Sequence, residues 1–99
     1  MNDVDRIVSL LERNGFSRGD DFDAQHDRRP FFYLNQVGSR PLQGRVIVGS
    51  LWTTFYIRVP IEHTREAAQI VDMQSVRTAD EEGVYILAAK LKQKGRLAA

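Results

Sequence analysis

Apolar positions near the start of the chain recur at helical spacing. Val4, Ile7, Val8, Leu10 and Leu11 fall on one stripe of an α-helix, with polar residues between them. Asn2 is placed to cap that helix, with Asp5 three residues on in a variant of capping-box spacing. Asn14-Gly15 supplies a left-handed stop, and Phe16 can fold back onto Leu10 or Leu11. The pattern predicts a helix over 3–14.

The period then changes. Residues 17–29 hold few apolar side chains and four aspartates, which predicts a loop anchored by Phe22. PFFYLNQV (30–37) reads as a strand with proline at its first position, and GSRPLQG (38–44) as a turn. RVIVGSLWTTFYIRVPI (45–61) is long for one strand and contains Gly49-Ser50. A tight hairpin there gives strands 45–48 and 51–59, with a bulged continuous strand as the alternative. The hairpin is the reading adopted, making a three-stranded antiparallel meander.

Pro60 ends the third strand, and IEHTREAAQIVDMQSV (61–76) reads as a second helix. Ala67, Ile70, Val71 and Gln74 form its inner face, and Glu62 and Glu66 lie near its positive end. The last segment is ambiguous, because GVYILAA also fits a fourth strand. Thr78 and Glu81 have capping-box spacing, Lys90, Lys92 and Lys94 fill a last turn, and Gly95 stands at the stop. These cues favour a helix over 79–94, despite a glycine at 83 that costs about 1 kcal/mol relative to alanine. The order is α-β-β-β-α-α. It describes a single α+β domain over 1–99, a small antiparallel sheet with helices on one face.

Composition narrows the function classes. Ninety-nine residues allow one core, burying roughly 65% of the unfolded surface. Apolar residues at 42% and charged residues at 27% fit a folded domain rather than a disordered one. The longest apolar run, Val84 to Ala89, is too short to span a bilayer, and the first residues lack the apolar core of a secretory signal. No cysteine is present, which excludes disulfides, thiolate metal sites and thiol nucleophiles. A cytoplasmic location is the expectation.

The net charge of +1 conceals a segregated pattern. Residues 1–30 carry seven acids and five bases, whereas 31–61 carry Arg40, Arg45 and Arg58 and no acid. Residues 62–87 carry six acids and two bases, and beyond them Lys90, Lys92, Lys94 and Arg96 stand unopposed.

Candidate chemistry is sparse. Asp20, Asp21, Asp23, His26 and Asp27 are suitable metal donors by type, but their spacing matches no calcium loop. A solvated turn is the simpler reading. His26 beside Asp27 could orient an imidazole for general-base work, yet nothing places a nucleophile beside it. His63 falls at a predicted helix start, where capping explains it. Gly38, Gly44 and Gly49 form no phosphate-cradling motif. No catalytic residue, cofactor or metal is therefore expected.

Strand alternation singles out one surface. Leu51, Thr53, Phe55, Ile57 and Val59 point one way and match Phe32 and Leu34 as a core set. Trp52, Thr54, Tyr56 and Arg58 point the other way, as do Phe31, Tyr33 and Asn35. In matching register, Phe31, Tyr33, Trp52, Tyr56 and Arg58 share one face, with Arg40 and Arg45 at its margin. Aromatics beside arginine are enriched in binding hot spots, and the same pairing stacks on nucleobases. The alternative is that the face packs under the C-terminal segment or the 17–29 loop as a second small core.

In order, a helix, a three-stranded meander and a helix is similar to double-stranded-RNA-binding domains and to the small toxins that share their fold. The resemblance covers residues 3–75 and is topological. The toxins' Gly-Ser-His strand motif is absent, since Gly38-Ser39 precedes Arg40 and Gly49-Ser50 precedes Leu51. The RNA-binding family's basic cluster is replaced by Glu62-His63-Thr64-Arg65-Glu66. No functional residue carries over.

Two functions follow. The first is a non-catalytic protein-interaction module, an adaptor or inhibitor whose partner is another protein or a second copy of itself. Its docking residues would be Phe31, Tyr33, Arg40, Arg45, Trp52, Tyr56 and Arg58. The second is a nucleic-acid-binding module using the acid-free 31–61 block and the Lys90–Arg96 tail. Neither involves a membrane.

Overall fold

Asn2 caps the first helix as its position implies, its side-chain oxygen accepting the Asp5 N–H at 2.9 Å. Helix α1 spans Asp3–Arg13 and buries Ile7, Leu10 and Leu11. Gly15 takes the left-handed conformation just past it, and Phe16 turns back into the core with its N–H on Leu11 O. The computed structural model describes residues 2–19, 29–59 and 69–97. The acidic 20–28 stretch with Phe22 and His26, and the 60–68 stretch with His63 and Ala67, lie outside them.

Five strands follow: β1 (Ser17–Arg18), β2 (Phe31–Leu34), β3 (Gln43–Val48), β4 (Trp52–Val59) and β5 (Gln69–Arg77). They form one antiparallel sheet in chain order, β1 to β5. The Gly49-Ser50 question resolves as a hairpin, with Gly49 N–H donating to Trp52 O at 2.9 Å. A Cβ at residue 49 would stand 2.7 Å from that same oxygen, so glycine is required there. Helix α2 (Glu81–Lys94) follows and ends at Gly95 with φ +67°.

Three expectations need correction. The reading of 61–76 as a helix fails over 69–76, which belongs to β5. Ile70 and Val71 recur at helical spacing with Gln74, but β4 is an eight-residue strand whose second edge needs a hydrogen-bonding partner. That tertiary demand outweighs the local period. Ser17–Arg18, expected in a loop, pairs with Tyr33 and Phe32. Leu51 and Val59, assigned to the core by alternation, are exposed, one in the hairpin turn and the other at the far end of its strand. Among the described residues the architecture is thus a five-stranded meander in the order α-β-β-β-β-β-α. The likeness in order to RNA-binding domains lapses over 69–76, where a strand stands in place of the expected helix.

The core lies between one sheet face and the two helices. Phe32, Val46 and Phe55 form a cross-strand row on that face, and Ile7, Leu11, Val84, Leu87, Ala88 and Leu91 meet the sheet from above. Residues beyond α2 return to the core: Leu97 is buried, and its N–H donates to Asp72 Oδ2 at 2.7 Å.

Candidate functional site

Because both helices pack on one face, the other is left to the side chains that alternation sends there. The register arranges them in rows across the strands. Tyr33, Arg45, Tyr56 and Met73 form one row, and Phe31, Ile47, Thr54 and Ser75 the next. Gln43, Arg58 and Ile70 lie at one end, Trp52 and Arg77 at the other. Five predicted residues, Phe31, Tyr33, Trp52, Tyr56 and Arg58, therefore share this face.

Two predicted residues are placed differently. Arg45 is at the centre of the face, flanked across strands by Tyr33 and Tyr56, because the middle of β3 pairs with β2 on one side and β4 on the other. Arg40 stands in the 37–40 turn, bridged to Val37, whose loop packs on the end of α2. No strand carries Arg40 to the aromatic face.

The arginines are held in place. The Arg45 guanidinium lies 5.9 Å from the Phe31 ring centroid and 5.6 Å from that of Tyr33. Its Nη1 donates to Gly44 O at 2.8 Å, and the residue is only 7% exposed. Gln43 Oε1 accepts from Arg45 Nη2 at 3.3 Å and from Arg58 Nε at 2.8 Å, so one amide oxygen joins both guanidinium groups. Arg77 stacks 4.4 Å over the Trp52 ring.

The face divides into a covered half and an open half. On β2 and β3, Phe31 is 9% exposed, and the backbone at Gly19 lies so close that a Cβ there would be 2.8 Å from the Tyr33 ring. Of the 17–29 segment named in the second-core alternative, the described residue Gly19 lies over this half, and most of the rest is outside the described residues. On β4 and β5, Trp52 is 48% exposed and Met73 61%, with Ile70 and Val71 also exposed. Among the described residues this face carries Arg45, Arg58 and Arg77 and no carboxylate, since Asp72 alternates to the helix side.

Sequence reasoning missed Gln43, Ile70, Met73 and Arg77. A strand reading of 69–77 would have found the last two through the Met73, Ser75, Arg77 alternation. The basic tail is on the other layer, since Lys90, Lys92 and Lys94 belong to α2. Lys92 Nζ donates to Asn14 O at the end of α1.

Among the described residues no cluster of three or more His, Asp or Glu could hold a metal ion, and no helix is long and apolar enough to cross a membrane. The chain matches no family model, no curated protein and no solved structure.

Proposed function

We propose that the protein is a non-catalytic protein-interaction module that docks through the open half of the aromatic-arginine sheet face. The observation that carries this reading is the exposed strip Trp52, Ile70, Met73 and Arg77 beside half-buried Tyr56 and Arg58, on the sheet face opposite the helices. Large apolar groups standing beside guanidinium groups form the chemistry of a docking hot spot. Binding would exclude water from them at little conformational cost, since Arg77 and Arg58 are already held by Trp52 and Gln43.

A nucleic-acid reading draws on the three arginines of the face and on the basic tail. Two observations weigh against it. The Trp52 ring, the most exposed aromatic of the face, is already stacked by Arg77, so a nucleobase would have to displace a guanidinium. The lysines of α2 lie on the opposite side of the sheet and cannot extend the same track.

The test is affinity capture with Trp52→Ala and Tyr56→Ala beside the parent chain, each checked for its melting curve. Both variants are expected to melt within a few degrees of the parent and to lose its protein partner. Retention of the partner by both folded variants, or loss of folding in Trp52→Ala, sinks the proposal. Recovery of nucleic acid rather than protein, with affinity falling steeply in salt, moves the function to the second reading.

A further inference from the structure

Strand β5 is the last strand of the sheet, and no described strand pairs with its outer side. Its hydrogen-bonding phase follows from a single contact. Thr78 N–H donates to Leu51 O at 2.9 Å, so in this antiparallel ladder Val76, Gln74 and Asp72 also bond inward to β4. The backbone groups of Met73, Ser75 and Arg77 then project outward from the sheet edge. These are the residues whose side chains stand on the aromatic-arginine face.

Sheet edges are usually blunted by shortness, lysine, proline or a bulge. β5 runs for nine residues without proline or lysine, and its one irregularity lies where the register shifts beside Ile57 and Arg58. That shift leaves 73–77 as a regular, pairable edge. Met73 and Arg77 are both exposed, four residues apart on one face.

Charge chooses among occupants. Arg77 and Arg58 flank Met73 on this half of the face, and no described carboxylate shares it. A second copy paired about Ser75 would set Met73 of each copy opposite Arg77 of the other, bringing no carboxylate to either arginine. We propose that an extended acidic segment of a partner protein adds to the Met73–Arg77 edge as a sixth strand, setting an aliphatic side chain against Met73 and a carboxylate against Arg77. This rests on the protein-docking reading and names the occupant of that face. The spacing transfers to the ligand, whose aliphatic and acidic residues stand four apart.

The test titrates the intact, isotopically labelled chain with a capped synthetic peptide of alternating threonines carrying leucine and glutamate four residues apart. Binding is expected to slow amide exchange at Met73, Ser75 and Arg77 by at least about tenfold, and to leave Gln74 and Val76 unchanged because β4 already holds them. Replacing the glutamate by lysine in the peptide, or Arg77→Ala in the protein, is expected to weaken binding roughly tenfold. N-methylation of the peptide amides that would face β5 is expected to abolish it, with the protein left unaltered. Ser75→Pro should do the same from the other side, since its N–H points away from β4.

Equal affinity for the glutamate and lysine peptides, or no binding of either, overturns the proposal. Binding without slowed exchange at the three amides also overturns it. If those amides are already slow in the free protein and it sediments as a dimer, the edge belongs to a second copy and the proposal fails. If a single-stranded oligonucleotide slows the same amides and the peptide does not, the occupant is nucleic acid and it fails likewise. These results concern the edge and its ligand. Failure of protein docking itself is read separately, from partner capture by Trp52→Ala and Tyr56→Ala.

Discussion

Thr78 occupies the first position of a capping-box spacing, yet its hydroxyl serves another part of the molecule. It is buried, donates to Gly49 O at 2.7 Å and lies 3.0 Å from Thr53 Oγ1, tying the β3–β4 turn to the end of β5. Asp80 caps α2 instead, its carboxylate accepting the Gly83 N–H. Thr78→Val keeps the shape but strands a buried carbonyl and a buried hydroxyl, so a loss of about 1–3 kcal/mol is expected in urea unfolding. A loss under about 0.5 kcal/mol would mean that other groups replace the lost bonds. The same limit governs Arg45. The sequence places it only at the margin of the aromatic face, and the β2–β3 and β3–β4 pairings together set it between two tyrosines. A sequence reading knows a residue's own neighbours and not those across the sheet.

Among the elements, α1 and the β3–β4 hairpin were legible because their signals are local: a cap, a left-handed glycine, a strict alternation. β5 was not, since Ile70, Val71 and Gln74 satisfy a helical period while its β-branched residues also suit a strand. Its partner β4 decided the matter. Helix α2 was legible through its lysine-rich last turn and Gly95, and its internal glycine now has a reason. A Cβ at residue 83 would press on the Asp80 carboxylate and stand 2.7 Å from Val76 Cγ2. Gly83→Ala would ordinarily stabilise a helix by about 1 kcal/mol. Here it is expected to lower stability by about 1 kcal/mol, through crowding of the cap against β5. A rise in melting temperature would contradict that packing.

At the scale of the whole molecule, the two layers separate the charges. The lysines of α2 lie on the helix side, and Arg45, Arg58 and Arg77 on the opposite sheet face. Lys90→Gln combined with Lys94→Gln is therefore expected to leave peptide binding within about twofold of the parent, whereas Arg58→Gln should weaken it severalfold. Trp52 emission reports both titrations, since it is the only tryptophan. A large effect of the lysine pair would mean that ligand reaches around the sheet, against the layered arrangement.

By itself, the sequence determined what depends on short range, an α+β class and α1 with both its caps, and it favoured without deciding the hairpin at Gly49-Ser50 and a helix with its stop at Gly95. Those features follow from periodicity and turn chemistry, which act over a few residues. Tertiary structure decided β5, the central position of Arg45, the departure of Arg40 and the division of the aromatic face into covered and open halves. Each of these depends on hydrogen bonds or close packing between segments far apart in the chain. Such pairings satisfy the edges of β2 and β4 together, and no local window contains them.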